Sequence, residues 1–311
     1  MKPNPTQIFY PLDSGFYGAY YPSSAPSDSA MLYMLGPTAD SPLIKAGARW
    51  LNRLGVNVLA LAPDPEHPDF YDLPLERFDA AIAALKALGN RRFGVCGGSI
   101  HGMLALLAAA HCPEITLTIA MTPCDFVAEG FIRDGLDGAM ERPADGHAVV
   151  SLGGKTLPHL PYAYRHPDYA LEIKAEGKRT GNLAASKAMF DRSEVLHPLQ
   201  EEEMIPVERI QGTLLLCGGR DDCLWDTEKY IHRMEQRLRE KSGQCRCVTL
   251  LYDHGTHFLF PQSMLTSVLP VGSFLLPLVF RAGRKHPFAC KQSRIAFDRQ
   301  AQTELRRWML S

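Results

Sequence analysis

A serine set between an apolar strand and an apolar helix constrains this chain more than any other feature. The stretch Arg92-Phe-Gly-Val-Cys-Gly-Gly-Ser-Ile-His-Gly-Met103 runs from a short strand signal at 92–96 into Gly97-Gly98-Ser99. The segment 103–110 is apolar on nearly every face and reads as a buried helix. A chain that passes from strand to buried helix so quickly must turn sharply at the top of a sheet. The turning residue then sits in an uncommon backbone conformation, with its side chain standing clear of the strand end. Small neighbours are required because helix and strand crowd each other. Gly97 and Gly98 supply them on one side. On the other, the G-x-S-x-G pattern asks for a small residue at 101, where this chain has His101, with Gly102 one place later. Glycines at such a turn also suit a phosphate loop or a turn that binds nothing, but the G-x-G-x-x-G spacing and the Walker lysine are both missing.

Around this turn the pattern alternates. A short apolar run at 30–36 is followed by helical spacing at 42–53, through Leu43, Ala46, Trp50 and Leu51. A second strand signal at 56–62 leads to an amphipathic helix at 75–88, and a further strand falls at 115–121. Strands alternating with helices predict βαβ units and an α/β fold with a mostly parallel sheet. Over about 125–205 the alternation stops, and Gly, Pro and charge replace any sheet period. It resumes with strand 213–217, helix 225–240, strand 247–252 and a last helix at 294–310, where Ile295, Phe297, Leu305, Trp308 and Met309 are candidate apolar contacts. The 311 residues are therefore expected as one domain. Its core is split into 30–124 and 206–311, with a cap insertion between and a lead of irregular chain or short edge strands at 1–29.

Apolar residues at 46% and charged residues at 22% exclude disorder and coiled coil as the main architecture. Lys plus Arg total 33 against 34 Asp plus Glu, a net charge of −1, so no bulk charge draws the chain to nucleic acid or an anionic membrane. The most apolar stretch, 264–280, is interrupted by Pro270, Gly272 and Pro277 and is short for a spanning helix. It is expected as buried core or a pocket wall, without membrane insertion. The first residues hold two prolines and no continuous apolar run, so no secretory signal is expected. The 8 cysteines are scattered without a C-x-x-C pair, and several, such as Cys217, stand in apolar runs as small buried hydrophobes. A reducing, cytoplasmic setting is expected, and nothing in the pattern calls for a metal or a bound cofactor.

A nucleophilic serine needs a histidine to take its proton and a carboxylate to orient that histidine. In α/β-hydrolases they follow in the order Ser, Asp or Glu, His, each after a late strand. Strand 213–217 is followed by Gly218-Gly219-Arg220-Asp221-Asp222, and strand 247–252 by Asp253-His254-Gly255-Thr256-His257. The expected trio is Ser99, Asp222 and His257 in an α/β-hydrolase fold. Asp222 closes a G-x-x-D turn, which leaves Asp221 as a helix-start or loop carboxylate near the pocket; both also suit capping of the next helix. His257 follows Gly255-Thr256, which lets the loop turn back over the sheet. The oxyanion donors are expected to be the Ile100 amide and an amide of the loop 36–40. Pro37 has no N–H there, which leaves Thr38, the preferred donor, or Ala39. Gly98 and His101 are further pocket candidates.

On these residues the chain resembles the C-terminal catalytic domain of the acyl-CoA thioesterase and bile acid-CoA:amino acid N-acyltransferase family. The likeness covers about 30–311 and rests on three blocks: 205–225, which contains the acid turn; Gly153-Gly154-Lys155-Thr156-Leu157-Pro158; and Tyr252-Asp-His-Gly-Thr-His257. The resemblance implies the same trio and a small-molecule acyl thioester or ester substrate. It also implies hydrolysis rather than transfer, since the family's thioesterases use serine where its amino acid acyltransferase uses cysteine. The chain departs from the family at His101, usually glycine, and at Phe258-Leu-Phe-Pro261, where an acidic residue is more usual. Residues 1–29 are too short for the β-sandwich domain that precedes the catalytic domain in the family's larger members. Within the insertion, Arg165, Lys174, Lys178 and Arg179 are candidates to meet coenzyme A phosphates. Phe126, Phe131, Leu157, Leu160, Tyr162 and Tyr164 are candidates to wall an acyl pocket. Other readings of the same turn are a carboxylesterase or peptidase, an amino acid acyltransferase, and a non-catalytic binding protein on the hydrolase fold.

Overall fold

The computed structural model describes residues 4–133, 142–266 and 276–311. Eight strands form the central sheet: β1 Gln7–Phe9, β2 Tyr17–Tyr21, β3 Ser29–Met34, β4 Asn57–Ala62, β5 Arg92–Gly98, β6 Ile115–Met121, β7 Thr213–Gly219 and β8 Arg246–Tyr252. Their spatial order is β1-β2-β4-β3-β5-β6-β7-β8. The pairs β1/β2 and β2/β4 are antiparallel, and all others are parallel. Residues before 30, expected as a lead, thus supply two strands to the sheet itself. Tyr20 and Tyr21 are buried in it, and the Tyr21 hydroxyl donates to the Ala39 carbonyl at 2.9 Å.

Helices cover both faces. On one lie α1 Pro42–Asn52 and α7 Pro287–Leu310; on the other lie α2 Glu76–Ala87, α3 Ile100–His111 and α6 Thr227–Glu240. Ser41 caps α1 by accepting the Ile44 amide, and Pro42 sits in the first turn, where its missing N–H costs nothing. The run on α3 is buried from His101 to Ala109 because sheet and insertion enclose it. Helix α7 begins at Pro287 rather than at 294, since the proline suits a first helical turn; Phe297, Ala301, Leu305 and Trp308 face the sheet at helical spacing.

The insertion carries more sheet than its sequence showed. Glu129–Ile132 pairs antiparallel with Arg142–Ala148, and Val150–Leu152 pairs with both Lys155–Thr156 and Leu73–Pro74. Helices α4 Asp168–Thr180 and α5 Lys187–Leu196 follow. Much of this segment is core, with Val149, Val150 and Leu160 fully buried. In the apolar stretch 264–280, Met264, Leu265 and Phe280 are buried as expected, Leu278 is exposed against that expectation, and 267–275 lie outside the described residues. Among the described residues no helix is long and apolar enough to cross a membrane.

Parallel register brings the carboxyl ends of the central strands to one edge. Gly98 on β5 stands opposite Met121 on β6, Cys217 on β7 opposite the same Met121, and Gly219 opposite Tyr252 on β8. The turns holding Ser99, Asp222 and His257 therefore leave the sheet side by side, where open α/β sheets place their ligand sites.

Candidate active site

Ser99 lies between β5 and α3 at φ 60° and ψ −128°, a region that residues with a side chain rarely occupy. Its N–H donates to the Met121 carbonyl at 2.8 Å, and its own carbonyl accepts the Gly102 and Met103 amides. The crowding at this turn falls on Gly97 and Gly102. A Cβ on Gly97 would lie 2.0 Å from the His101 carbonyl oxygen, and one on Gly102 would lie 3.0 Å from that of Met121. Position 101 therefore admits an imidazole, and the small residue expected there is needed one place later.

Ser99 Oγ and His257 Nε2 are 2.7 Å apart, and His257 Nδ1 is 2.8 Å from Asp222 Oδ2. The Asp222 carboxylate is further fixed by the Leu224 amide at 2.9 Å and the Thr227 hydroxyl at 2.6 Å. Asp222 and His257 are both buried, while Ser99 is partly open. Such an arrangement holds one imidazole nitrogen protonated toward the carboxylate and leaves the other to accept the serine proton.

The acid and histidine turns touch through glycines: a Cβ on Gly219 would lie 2.7 Å from the Thr256 nitrogen. Asp221, expected near the pocket, does not line the cavity at Ser99. Its Oδ1 accepts the Gly255 and Thr256 amides at 3.0 and 2.7 Å and so ties the histidine turn to the acid turn. The cap of α6 is Asp226, which leaves both Asp221 and Asp222 free of that duty.

A cavity of about 330 Å³ opens at Ser99. Gly98, Ile100 and His101 line it as expected. Thr38 does not: it is exposed, and its hydroxyl donates to Asp40 at 3.1 Å. Leu35, Gly36 and Pro37 line the cavity instead, because Gly36, at φ 99°, turns the chain before position 38. Of the insertion residues expected to wall it, Phe131 is present, while Phe126, Leu160 and Tyr162 are buried in the core. Leu157 lines a different cavity, as does Tyr164. Arg165 pairs with Glu129 at 2.7 Å and Asp145 at 3.3 Å, and Lys174, Lys178 and Arg179 lie on α4 away from the cavity lining.

Sequence reasoning missed Thr122, at φ 44°, whose hydroxyl donates to the His257 carbonyl at 3.1 Å and whose own carbonyl accepts the Trp225 indole N–H at 3.1 Å. It missed Phe70 and Arg133 in the cavity wall too. None of these carries a motif; their positions depend on loops meeting in space. His101 is 7% exposed, packs its ring on Phe70 at 5.3 Å, and leaves Nε2 without a partner among the described residues. Burial, with the nearby Arg133 and Arg77 charges, pushes its pKa down to about 3, so it is neutral near pH 7.

Sheet order and the three turns at the ends of β5, β7 and β8 define the molecule as an α/β-hydrolase. The chain belongs to the family described as BAAT / Acyl-CoA thioester hydrolase C terminal, whose model matches residues 73–271. No curated protein matches it. Among solved structures it is similar to an esterase of Pyrococcus furiosus, 16% identical with a TM-score of 0.48, over 99% of this chain and 100% of that one. It is also similar to a Mycobacterium tuberculosis puromycin-hydrolyzing peptidase, 14% identical with a TM-score of 0.48, over 91% of this chain. The match spans only 40% of that peptidase's length.

Proposed function

We propose that the protein is a serine hydrolase that cleaves an acyl thioester of the coenzyme A type through an acyl-Ser99 intermediate. The observation that carries this reading is the hydrogen-bonded chain from buried Asp222 through buried His257 to the partly open Ser99, with contacts of 2.8 and 2.7 Å. Ser99 Oγ attacks the acyl carbonyl as His257 Nε2 takes its proton, and Asp222 stabilises the imidazolium that forms. The Ile100 amide, at the free start of α3, and the Gly36 amide, in the loop lining the cavity, are the donors assigned to the oxyanion. Collapse of the tetrahedral species breaks the carbon–sulfur bond and expels the thiolate, which receives the proton from His257. Water, deprotonated by His257, then attacks the acyl ester and releases a carboxylic acid and Ser99.

The apolar lining of Leu35, Leu43, Phe131, Phe258 and Phe260 supports an acyl substituent as the part bound. The family membership supports the thioester, and a serine at position 99 supports water as the acceptor. Eight unpaired thiols support a reducing, cytoplasmic setting, and the near-balanced charge supports a small-molecule substrate rather than nucleic acid or membrane. Comparison of acyl-CoA with p-nitrophenyl esters of equal chain length tests the leaving group. A clear preference in kcat/KM for the thioester is expected, and turnover of the esters alone would overturn the assignment. Ser99→Ala should reduce turnover by a factor of about 10³ or more.

A further inference from the structure

A second cavity, of about 360 Å³, shares no lining residue with the one at Ser99. Phe70 lines the first; its chain neighbours Asp69 and Tyr71 line the second. Arg77, in the first turn of α2, also lines the second cavity and is only 7% exposed. Its guanidinium donates to the Ala62 carbonyl at 2.6 Å, and its Nε, shut from solvent, has no partner among the described residues. No described carboxylate pairs with it, and burial alone pushes its pKa down to about 10. The contrast is Arg233, which is only half-buried and yet pairs with the buried Asp125 at 2.5 Å. A buried cation without a counter-charge is costly, and a guanidinium in a cavity wall, with one of its nitrogens already on the Ala62 carbonyl, is a receptor for a single oxyanion head.

The remaining lining selects the ligand. Phe16, Leu73 and Pro74 give an apolar wall. Asp64 and Asp69 are also present; Asp64 Oδ1 accepts the Glu66 amide at 3.0 Å, and Asp69 Oδ1 accepts the Arg133 amide at 2.8 Å. Two carboxylates beside one guanidinium oppose a dianion more than a monoanion. We propose that this cavity binds an organic monocarboxylate, with its head on Arg77 and its apolar body against Phe16, Leu73 and Pro74. The cavity shares no lining residue with the one at Ser99, although the Arg77 charge reaches His101 in that cavity's wall.

Isothermal titration calorimetry of the full chain with hexanoate, hexanol and inorganic phosphate tests this. Wild type should bind hexanoate at a site that Arg77→Met weakens about tenfold or more. Hexanol and phosphate should both bind more weakly than hexanoate. Ser99→Ala should keep the hexanoate site, so failure of the hydrolase reading would leave this result unchanged. Hexanoate binding that is the same in Arg77→Met, or matched by hexanol, overturns the proposal. Phosphate binding more tightly than hexanoate overturns the carboxylate assignment. If Arg77→Met fails to fold, the comparison of hexanoate with hexanol on wild type decides the matter.

Discussion

The backbone at Ser99 is held at φ 60° by contacts on both sides, so the side chain is presented at a cost in stability. Conformations of this kind cost about 1–3 kcal/mol, and glycine adopts them without strain. Ser99→Gly should therefore stabilise the fold by about 1 kcal/mol while abolishing turnover, as denaturant titration and an activity assay would show. His101 makes a separate prediction. Its folded pKa of about 3 lies below the ordinary value of about 6.5, so the unfolded chain binds a proton that the folded one does not. Its contribution is intact above pH 6.5 or so and is lost as pH falls toward 3. His101→Phe should flatten the fall in unfolding free energy between about pH 6.5 and 4, measured by urea titration at several pH values. An unchanged slope would show that the imidazole ionises in the folded state.

At the scale of elements, the turns after β7 and β8 work as a pair, joined by Asp221. Asp221→Ala frees the Gly255 and Thr256 amides, which lie outside any helix or strand. It should lower kcat by about tenfold or more with little change in KM, because His257 loses its fixed position before it loses its partners. A parallel fall in stability and activity would instead make Asp221 a purely structural residue. This scale also shows what the sequence made legible. Strands β3 to β8 and helices α1 to α3 could be read because each is either a continuous apolar run or has one apolar period, at an ordinary length. Ser99, Asp222 and His257 could be read because each closes a turn after such a strand. The insertion could not: its strands run from two to seven residues, and one pairs with Leu73–Pro74 from outside the segment. Thr38 was misplaced for a related reason, since a loop amide is positioned by the path of the chain and not by residue type.

Over the whole molecule, the two strands before residue 30 belong to the structural core. A chain starting at Ser29 loses the antiparallel partner of β4 and uncovers Leu59 and Leu61, both buried on that strand. It should lose cooperative thermal unfolding by circular dichroism; a sharp transition near that of the full chain would show that β1 and β2 are dispensable. The parallel sheet brings residues more than a hundred positions apart to one edge, and the insertion closes one side of the cavity through Phe131 and Arg133. The proposed hydrolysis requires that this edge make Ser99 a nucleophile. Treatment of the folded protein with a fluorophosphonate probe, followed by peptide mass spectrometry, measures this directly. A single adduct on Ser99, absent from His257→Ala and from urea-unfolded protein, is the expected result. No adduct, or one that survives Ser99→Ala at full yield, would contradict it.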